Sequence, residues 1–322
     1  MCFLKKFMGV VTAVAAFSQP ILAKESYVVV ERHSGKVLLA DNSEVKRPVA
    51  SLTKIATSKV VLDWAQATNT NLSTMITVPS TINLVGGANP MSLQPGDQMT
   101  LRDALYSTLM GSDNKAALTL ADHVGRELLM KRQLQGDPVG AFVVEMNKLA
   151  KSLGMTRTKF ATPHGLVANP RDSYSTASDI ARLSMHVMKD TAFGFYVKQT
   201  SREISVTRAA TASESKVTVE NTNKMLGGEL KIKGIKTGTS QAAGQCIAIC
   251  AERQPFVQKH EDGGATVTPV EMVVVILGSA DREGQGKRLI TQGWQMYDGW
   301  RSVGYPATAD RREFILLPGG NS

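Results

Sequence analysis

The sequence predicts an α/β (α+β) fold in which one sheet is assembled from both chain ends and an all-helical region is inserted between them. Three observations carry this expectation. β-Branched stretches stand near the start, at Ser26 to Glu31 and Val37 to Ala40, and others stand late, at Gly244 to Ala251 and Glu271 to Gly278. Between them, from about residue 52 to about 200, the apolar residues recur mostly at helical spacing. The 322 residues suffice for one large domain or two modest ones, with a sizeable buried core.

Taken in order, Lys5 and Lys6 precede an apolar stretch from Phe7 to Phe17, and a small-residue end follows at Ala23. That is the layout of a secretory signal peptide over residues 1–23, and the apolar run is shorter than the roughly 20 residues a bilayer span needs. Ile21 is larger than the residue usual three positions before a cut, which keeps an uncleaved anchor as the alternative. Next, Ser34-Gly35-Lys36 separates two strand-like runs and makes them a hairpin. Pro48 precedes a helix expected from about Ser51 to Ala65, which offers Ile55, Val60, Val61 and Trp64 for burial.

Asn69 to Met99 is loop-rich. Leu101 to Met110 and Ala116 to Leu129 are helical in pattern, with the polar break Gly111-Ser112-Asp113-Asn114 between them. Pro138 suits the first turn of a helix running to Leu153 and stopped by Gly154. Thr176 to Met188 is helical, with Ser175 as its expected cap. Arg202 to Val206 alternates as a strand, and Ile232 to Thr239 ends in a strand edge. The polar stretch Gln254 to Pro269 reads as a long hairpin loop or insertion, and Gly284 to Trp300 closes the domain as a helix. The expected organisation is therefore a domain over 24–302 and a short tail over 303–322.

The formal charge of +9 invites a nucleic-acid reading, but the Lys and Arg residues are scattered and aromatics make up only 6%, so none is expected. A basic surface suits an anionic polymer or a membrane surface equally well. Cys246 and Cys250 lie four residues apart in a strand, about 13 Å, beyond the ~4.4–6.8 Å a disulfide spans. They are expected as buried strand thiols. No Cys and His set has metal-ligand spacing, so no metal or cofactor is expected.

Ser-x-x-Lys occurs at Ser43/Lys46, Ser51/Lys54, Ser112/Lys115 and Ser213/Lys216, which shows how little one occurrence means. Ser51/Lys54 differs in its apolar flanks: a lysine one turn on reaches the serine hydroxyl, and desolvation lowers its pKa towards that of a base. Ser112-Asp113-Asn114 reads by itself as a helix N-cap. Its functional reading makes Ser112 a proton relay and Asn114 a donor to substrate and to Lys54. Lys236-Thr237-Gly238-Thr239 alone is a strand end and turn. On a sheet edge, the glycine lets a ligand backbone lie alongside while lysine and threonines face a carboxylate.

Together and in this order, the three motifs are those of class A β-lactamases and penicillin-binding proteins. The sequence resembles most closely the serine D-alanyl-D-alanine carboxypeptidases among the low-molecular-mass penicillin-binding proteins. The likeness runs from about Ser26 to Trp300 and includes Leu93-Gln94-Pro95-Gly96, Met146-Asn147, Leu153-Gly154-Met155, Pro163-His164-Gly165-Leu166 and Ala243-Gly244. It implies a β-lactamase/transpeptidase-like fold with an antiparallel sheet. A class A β-lactamase would carry a deacylating glutamate after the second motif. No Glu-x-x-Leu-Asn is found, Glu145 reads as an exposed helix position, and His164 reads as a loop hydrogen-bonder.

The resemblance implies acylation of Ser51 by the D-Ala-D-Ala end of a peptidoglycan stem peptide. Lys54 is the base, Ser112 protonates the leaving amine, and the Ser51 and Thr239 amides form the oxyanion hole. Lys236 holds the terminal carboxylate, with Asn114, Thr237 and Gly238 also at the substrate, and keeps Lys54 neutral by repulsion. β-Lactams are the expected inhibitors. The expected setting is the periplasm or another extracytoplasmic part of the envelope, with peripheral membrane association left open. The chain stops soon after the first domain, and Thr239 replaces the residues of other members, so a D,D-endopeptidase acting on cross-links is the alternative. A β-lactamase and a non-enzymatic wall-binding protein rank lower.

Overall fold

The run from Met272 to Leu277 is apolar at every position, and alternation along a strand sends such residues to both faces of a sheet. The computed structural model describes residues 25–305 and 313–318, so the expected signal segment lies outside the described residues. Met272 to Leu277 falls in the central strand of a five-stranded antiparallel sheet, ordered β2-β1-β9-β8-β7. Here β1 is Ser26–Glu31, β2 Val37–Asp41, β7 Ile232–Ser240, β8 Gly244–Lys259 and β9 Ala265–Ser279. Both chain ends supply it, as expected.

Both faces are covered. Val28, Val30, Val273, Val275 and Leu277 join the core of the helical region. Val29, Met272, Val274 and Ile276 meet Leu289, Ile290 and Trp294 of the last helix, α7 (Arg282–Ser302), which is a little longer than expected. Cys246 and Cys250 are free, buried thiols of β8, and burial pushes them up to about 11 and about 12.

The inserted region holds α1 (Thr53–Thr68), α2 (Leu101–Leu109), α3 (Asn114–Lys131), α4 (Pro138–Ser152), α5 (Ala177–Val187) and α6 (Thr191–Val197). Helix α1 is buried from Thr53 to Leu62 because α2 to α6 pack around it, so even its lysines are enclosed. Its buried Lys59 is matched by Asp63 and Asp190. Asp113, Asp137 and Asp190 accept backbone N–H groups at the starts of α3, α4 and α6. The cap of α5 is Thr176 rather than Ser175, whose backbone pairs with Arg47 instead.

Three features depart from the sequence expectation. A second sheet, ordered β3-β4-β5-β6, joins Met75–Thr77, Gln98–Thr100, Ser201–Arg208 and Ser213–Glu220; only the third of these strands is legible beforehand. Gln254 to Pro269 is no loop: β8 and β9 continue through it as a two-stranded ribbon to a turn near Gly263. Its polar, exposed residues hide strand content because no layer covers them. Residues of the tail dock back onto the domain, where Ile315 is buried and its N–H reaches Gly35 O at 2.8 Å. Among the described residues no helix is long and apolar enough to cross a membrane.

The loop after α4 is held by one side chain. Asn147 Nδ2 donates to Phe160 O at 2.8 Å, and its Oδ1 accepts from Phe160 N at 2.9 Å. Phe160 is itself buried, so Asn147→Ala leaves two buried backbone groups unpaired, each costing about 1–3 kcal/mol. The variant is expected to unfold at lower urea with an unchanged slope; an unmoved midpoint would remove this role.

Candidate active site

Pro48 is followed by a 3₁₀ turn, Ala50–Leu52, which runs straight into α1. Ala50 takes a left-handed φ of 46°, a conformation that costs a non-glycine residue energy and gathers at functional sites. Ser51 thereby stands half-buried at the head of a helix whose first ten residues are buried. One turn on, Lys54 Nζ lies 3.0 Å from Ser51 Oγ and also donates to Asn114 Oδ1 at 2.7 Å and to His164 O at 3.0 Å. Lys54 has no exposed surface, and burial pulls its pKa down to about 7 although Asp113 acts in the opposite direction. Lys236 is near enough to feel Lys54: burial first, then Lys54 and Arg282, hold it well below the ordinary lysine value.

The Ser112 segment crosses between α2 and α3. Ser112 itself is half-buried with a left-handed φ of 59°, and Asp113 caps α3 through Lys115 N and Ala116 N while accepting from Ser107 Oγ at 2.9 Å. The cap reading is therefore met by Asp113, the residue after Ser112. Asn114 accepts from Lys54 rather than donating to it, and its Nδ2 is spent on Gly86 O at 2.8 Å. A side chain on Gly87 would strike that amide, with a Cβ only 2.4 Å from Nδ2.

Strand β7 is the sheet's edge, as expected, and carries the third motif. Its Gly238 has a nearer reason than a ligand: a Cβ there would sit 3.0 Å from Ser51 N and from Val49 O, so the strand packs directly on the 3₁₀ turn. Lys236 and Thr237 are buried, Thr239 is exposed, and Lys236 Nζ donates to Thr237 O at 3.1 Å.

Residues outside the motifs complete the cluster. Arg282, at the head of α7, donates to Thr239 Oγ1 at 2.8 Å and to Gly238 O at 3.2 Å. Thr222 Oγ1 is 2.7 Å from Thr237 Oγ1. Neither position carries a sequence signal; each is brought in by the sheet's closure. His164 behaves as the loop hydrogen-bonder expected, its Nδ1 accepting from Leu166 N at 3.2 Å, with burial and then Lys54 lowering its pKa to about 4. Its contribution is its carbonyl. Glu145 is half-buried rather than exposed and pairs with Arg132 and Lys148.

A hydroxyl beside a buried, easily neutralised amine, next to an open strand edge flanked by cations, is the arrangement of a serine–lysine acyl-transfer enzyme. The family model described as D-alanyl-D-alanine carboxypeptidase matches residues 13–256. Chain and carboxypeptidase DacC of Escherichia coli (strain K12) are 29% identical over 304 residues, covering 91% of this chain and 67% of that protein. A D-alanyl-D-alanine endopeptidase of the same strain is 30% identical over 244 residues, 74% of this chain and 70% of that one. The Streptomyces K15 DD-transpeptidase structure superposes with a TM-score of 0.70 at 26% identity, covering 84% of this chain and 96% of that one. The chain spans about two thirds of the DacC length and 62% of E. coli DacA. The chain belongs to the D-alanyl-D-alanine carboxypeptidase family, and its fold is the β-lactamase/transpeptidase fold.

Gly165 fixes the loop that supplies the His164 carbonyl. Its φ is +85°, and an added Cβ would lie 2.0 Å from Ala50 O. Gly165→Ala is expected to push the loop off Lys54 and slow Ser51 acylation at least about tenfold, since misplacements near 1 Å cost rates of that order or more. Stopped-flow acylation by a chromogenic β-lactam checks this; a wild-type rate would show that the loop position is irrelevant.

Proposed function

We propose that the chain is a serine D,D-carboxypeptidase that removes the terminal D-alanine of peptidoglycan stem pentapeptides through a Ser51 acyl-enzyme. The observation that carries the reading is the 3.0 Å approach of a wholly buried Lys54 to Ser51 Oγ. In this scheme neutral Lys54 takes the Ser51 proton as Oγ attacks the carbonyl between the two D-alanines. The Ser51 and Thr239 amides receive the oxyanion, a contribution of about 3–4 kcal/mol per donor in other enzymes. Ser112 passes a proton to the departing amine. Lys236, Thr237 and Arg282 face the terminal carboxylate, with Gly238 keeping the strand close and Asn114 orienting Lys54. Water then hydrolyses the ester, and β-lactams acylate the same serine.

The stem peptides and the export of the protein belong to this proposal too; the latter rests on Lys5, Lys6 and the apolar run after them. A second reading, cleavage of cross-links, is favoured by one observation: the relative quoted at 30% identity is named an endopeptidase. Free D-alanine from a monomeric pentapeptide identifies the first activity, and monomers from a cross-linked dimer the second.

Labelled penicillin tests the nucleophile. Wild-type protein is expected to take up one label that Ser51→Ala does not, and equal labelling of the two would reassign the nucleophile.

The acid limb of kcat/KM reports the base in the free enzyme. A lysine lowered to about 7 is increasingly protonated below that pH and cannot accept a proton there, so activity is expected to rise with pH through about 7 and then level. A limb near 10.5, the ordinary lysine value, would exclude neutral Lys54 as the base.

A further inference from the structure

Thr222 follows the end of β6 and belongs to none of the three motifs, yet it touches two of the segments that carry them. Its Oγ1 lies 2.7 Å from Thr237 Oγ1, and its backbone N donates to Met110 O at 3.0 Å, two residues before Ser112. The segment around it is held from both sides. Asn221 Nδ2 donates to Gln199 O at 2.8 Å and Val197 O at 3.3 Å, and Asn221 Oδ1 accepts from Asn223 N at 2.9 Å. The Thr222 hydroxyl is therefore presented to Thr237 from a fixed backbone.

Thr237 is almost wholly buried, so its hydroxyl has few orientations, and a hydroxyl has one proton to give. If Thr237 gives that proton to Thr222, it turns lone pairs towards the cleft and repels an anion. If Thr222 gives its own proton to Thr237, the Thr237 proton is free to point at a carboxylate oxygen, beside the Lys236 amine and the Arg282 guanidinium. The second arrangement is the one that suits an anionic substrate end.

We propose that Thr222 is a positioning residue for carboxylate recognition, donating to Thr237 Oγ1 so that Thr237 donates to the terminal carboxylate of the substrate. This rests on the reading of the site as a D,D-carboxypeptidase. Charge-assisted hydrogen bonds are the stronger ones, so the orientation of this donor matters more for an ionised chain end than for a neutral one. Thr222 touches no substrate atom in this scheme and acts through Thr237 alone.

The test compares two peptides that differ only at the end, Nα,Nε-diacetyl-Lys-D-Ala-D-Ala with a free carboxylate and its C-terminal carboxamide. Thr222→Val keeps the shape and removes the hydroxyl; Thr222→Ala gives the same reading if the valine variant does not accumulate, and Thr222→Ser restores the donor. The expected result is a fall of about tenfold in kcat/KM for the carboxylate peptide, carried mainly by KM, with the carboxamide peptide within about twofold of wild type. Thr222→Ser should stay within about twofold on both. A parallel fall on both peptides would assign Thr222 a packing role and overturn the proposal, as would no change on either. Wild-type protein that cleaves neither peptide would instead overturn the underlying reading of the site, which separates the two failures.

Discussion

Everything at the site depends on holding one lysine out of water without pairing it to a carboxylate. Lys54 is enclosed at the start of a helix buried on every side, and its three hydrogen-bond partners are a hydroxyl, an amide oxygen and a backbone carbonyl. Neutral acceptors satisfy the amine in either protonation state, whereas a direct carboxylate would fix it as a cation. Asp113 is near enough to raise the Lys54 pKa, but its oxygens are committed to Ser107 and to the first N–H groups of α3. The contrast with Lys59, on the same helix, is instructive. There two aspartates close on the amine and raise its pKa despite burial. One helix thus buries two lysines by opposite means, one as a structural cation and one as a group able to lose its proton near neutrality.

The frame explains why two of those three acceptors come from distant parts of the chain. Asn114 arrives because α3 packs on α1, and the His164 carbonyl arrives because Gly165 lets its loop lie against Ala50. Strand β7 closes the other side because Gly238 has no side chain to keep it from Ser51 N. Two of the glycines in the family-like motifs therefore serve contact between the chain and itself. Close packing of the nucleophile's turn leaves the open edge of β7 as the side from which an extended peptide can approach.

The sheet from both ends, the helical middle and the three motifs were legible in the sequence because each rests on local pattern: β-branched runs, helical periodicity, short spacings around serine and lysine. The cap at Asp113 and the thiols of β8 were legible for the same reason. What could not be read were features made by chain closure. Arg282 and Thr222 reach the cleft only once β7 and α7 are placed, and β6 is too polar to announce itself without its partner β5. The ribbon from Gln254 to Pro269 failed differently, since a strand pair that is exposed at nearly every position has no alternation to detect. The role of Asn114 was reversed for a third reason: residue type gives both donor and acceptor, and only the neighbour Gly86 O decides which atom is left for Lys54.

The charge arrangement bears on the order of events in the proposed reaction. Lys54 and Arg282 both act to lower the pKa of Lys236, so protonating both lysines beside Arg282 would crowd positive charge that burial already disfavours. An incoming carboxylate relieves that crowding and draws Lys236 towards its charged form, since an opposite charge at close range favours the ion. A cationic Lys236 in turn disfavours a second proton on Lys54. Binding of the anionic chain end would then both hold the substrate and leave Lys54 as the acceptor of the Ser51 proton. The leaving D-alanine takes that carboxylate with it, and the crowding returns at the acyl-enzyme stage. In the proposed reaction the site would therefore be best matched to its substrate before acylation.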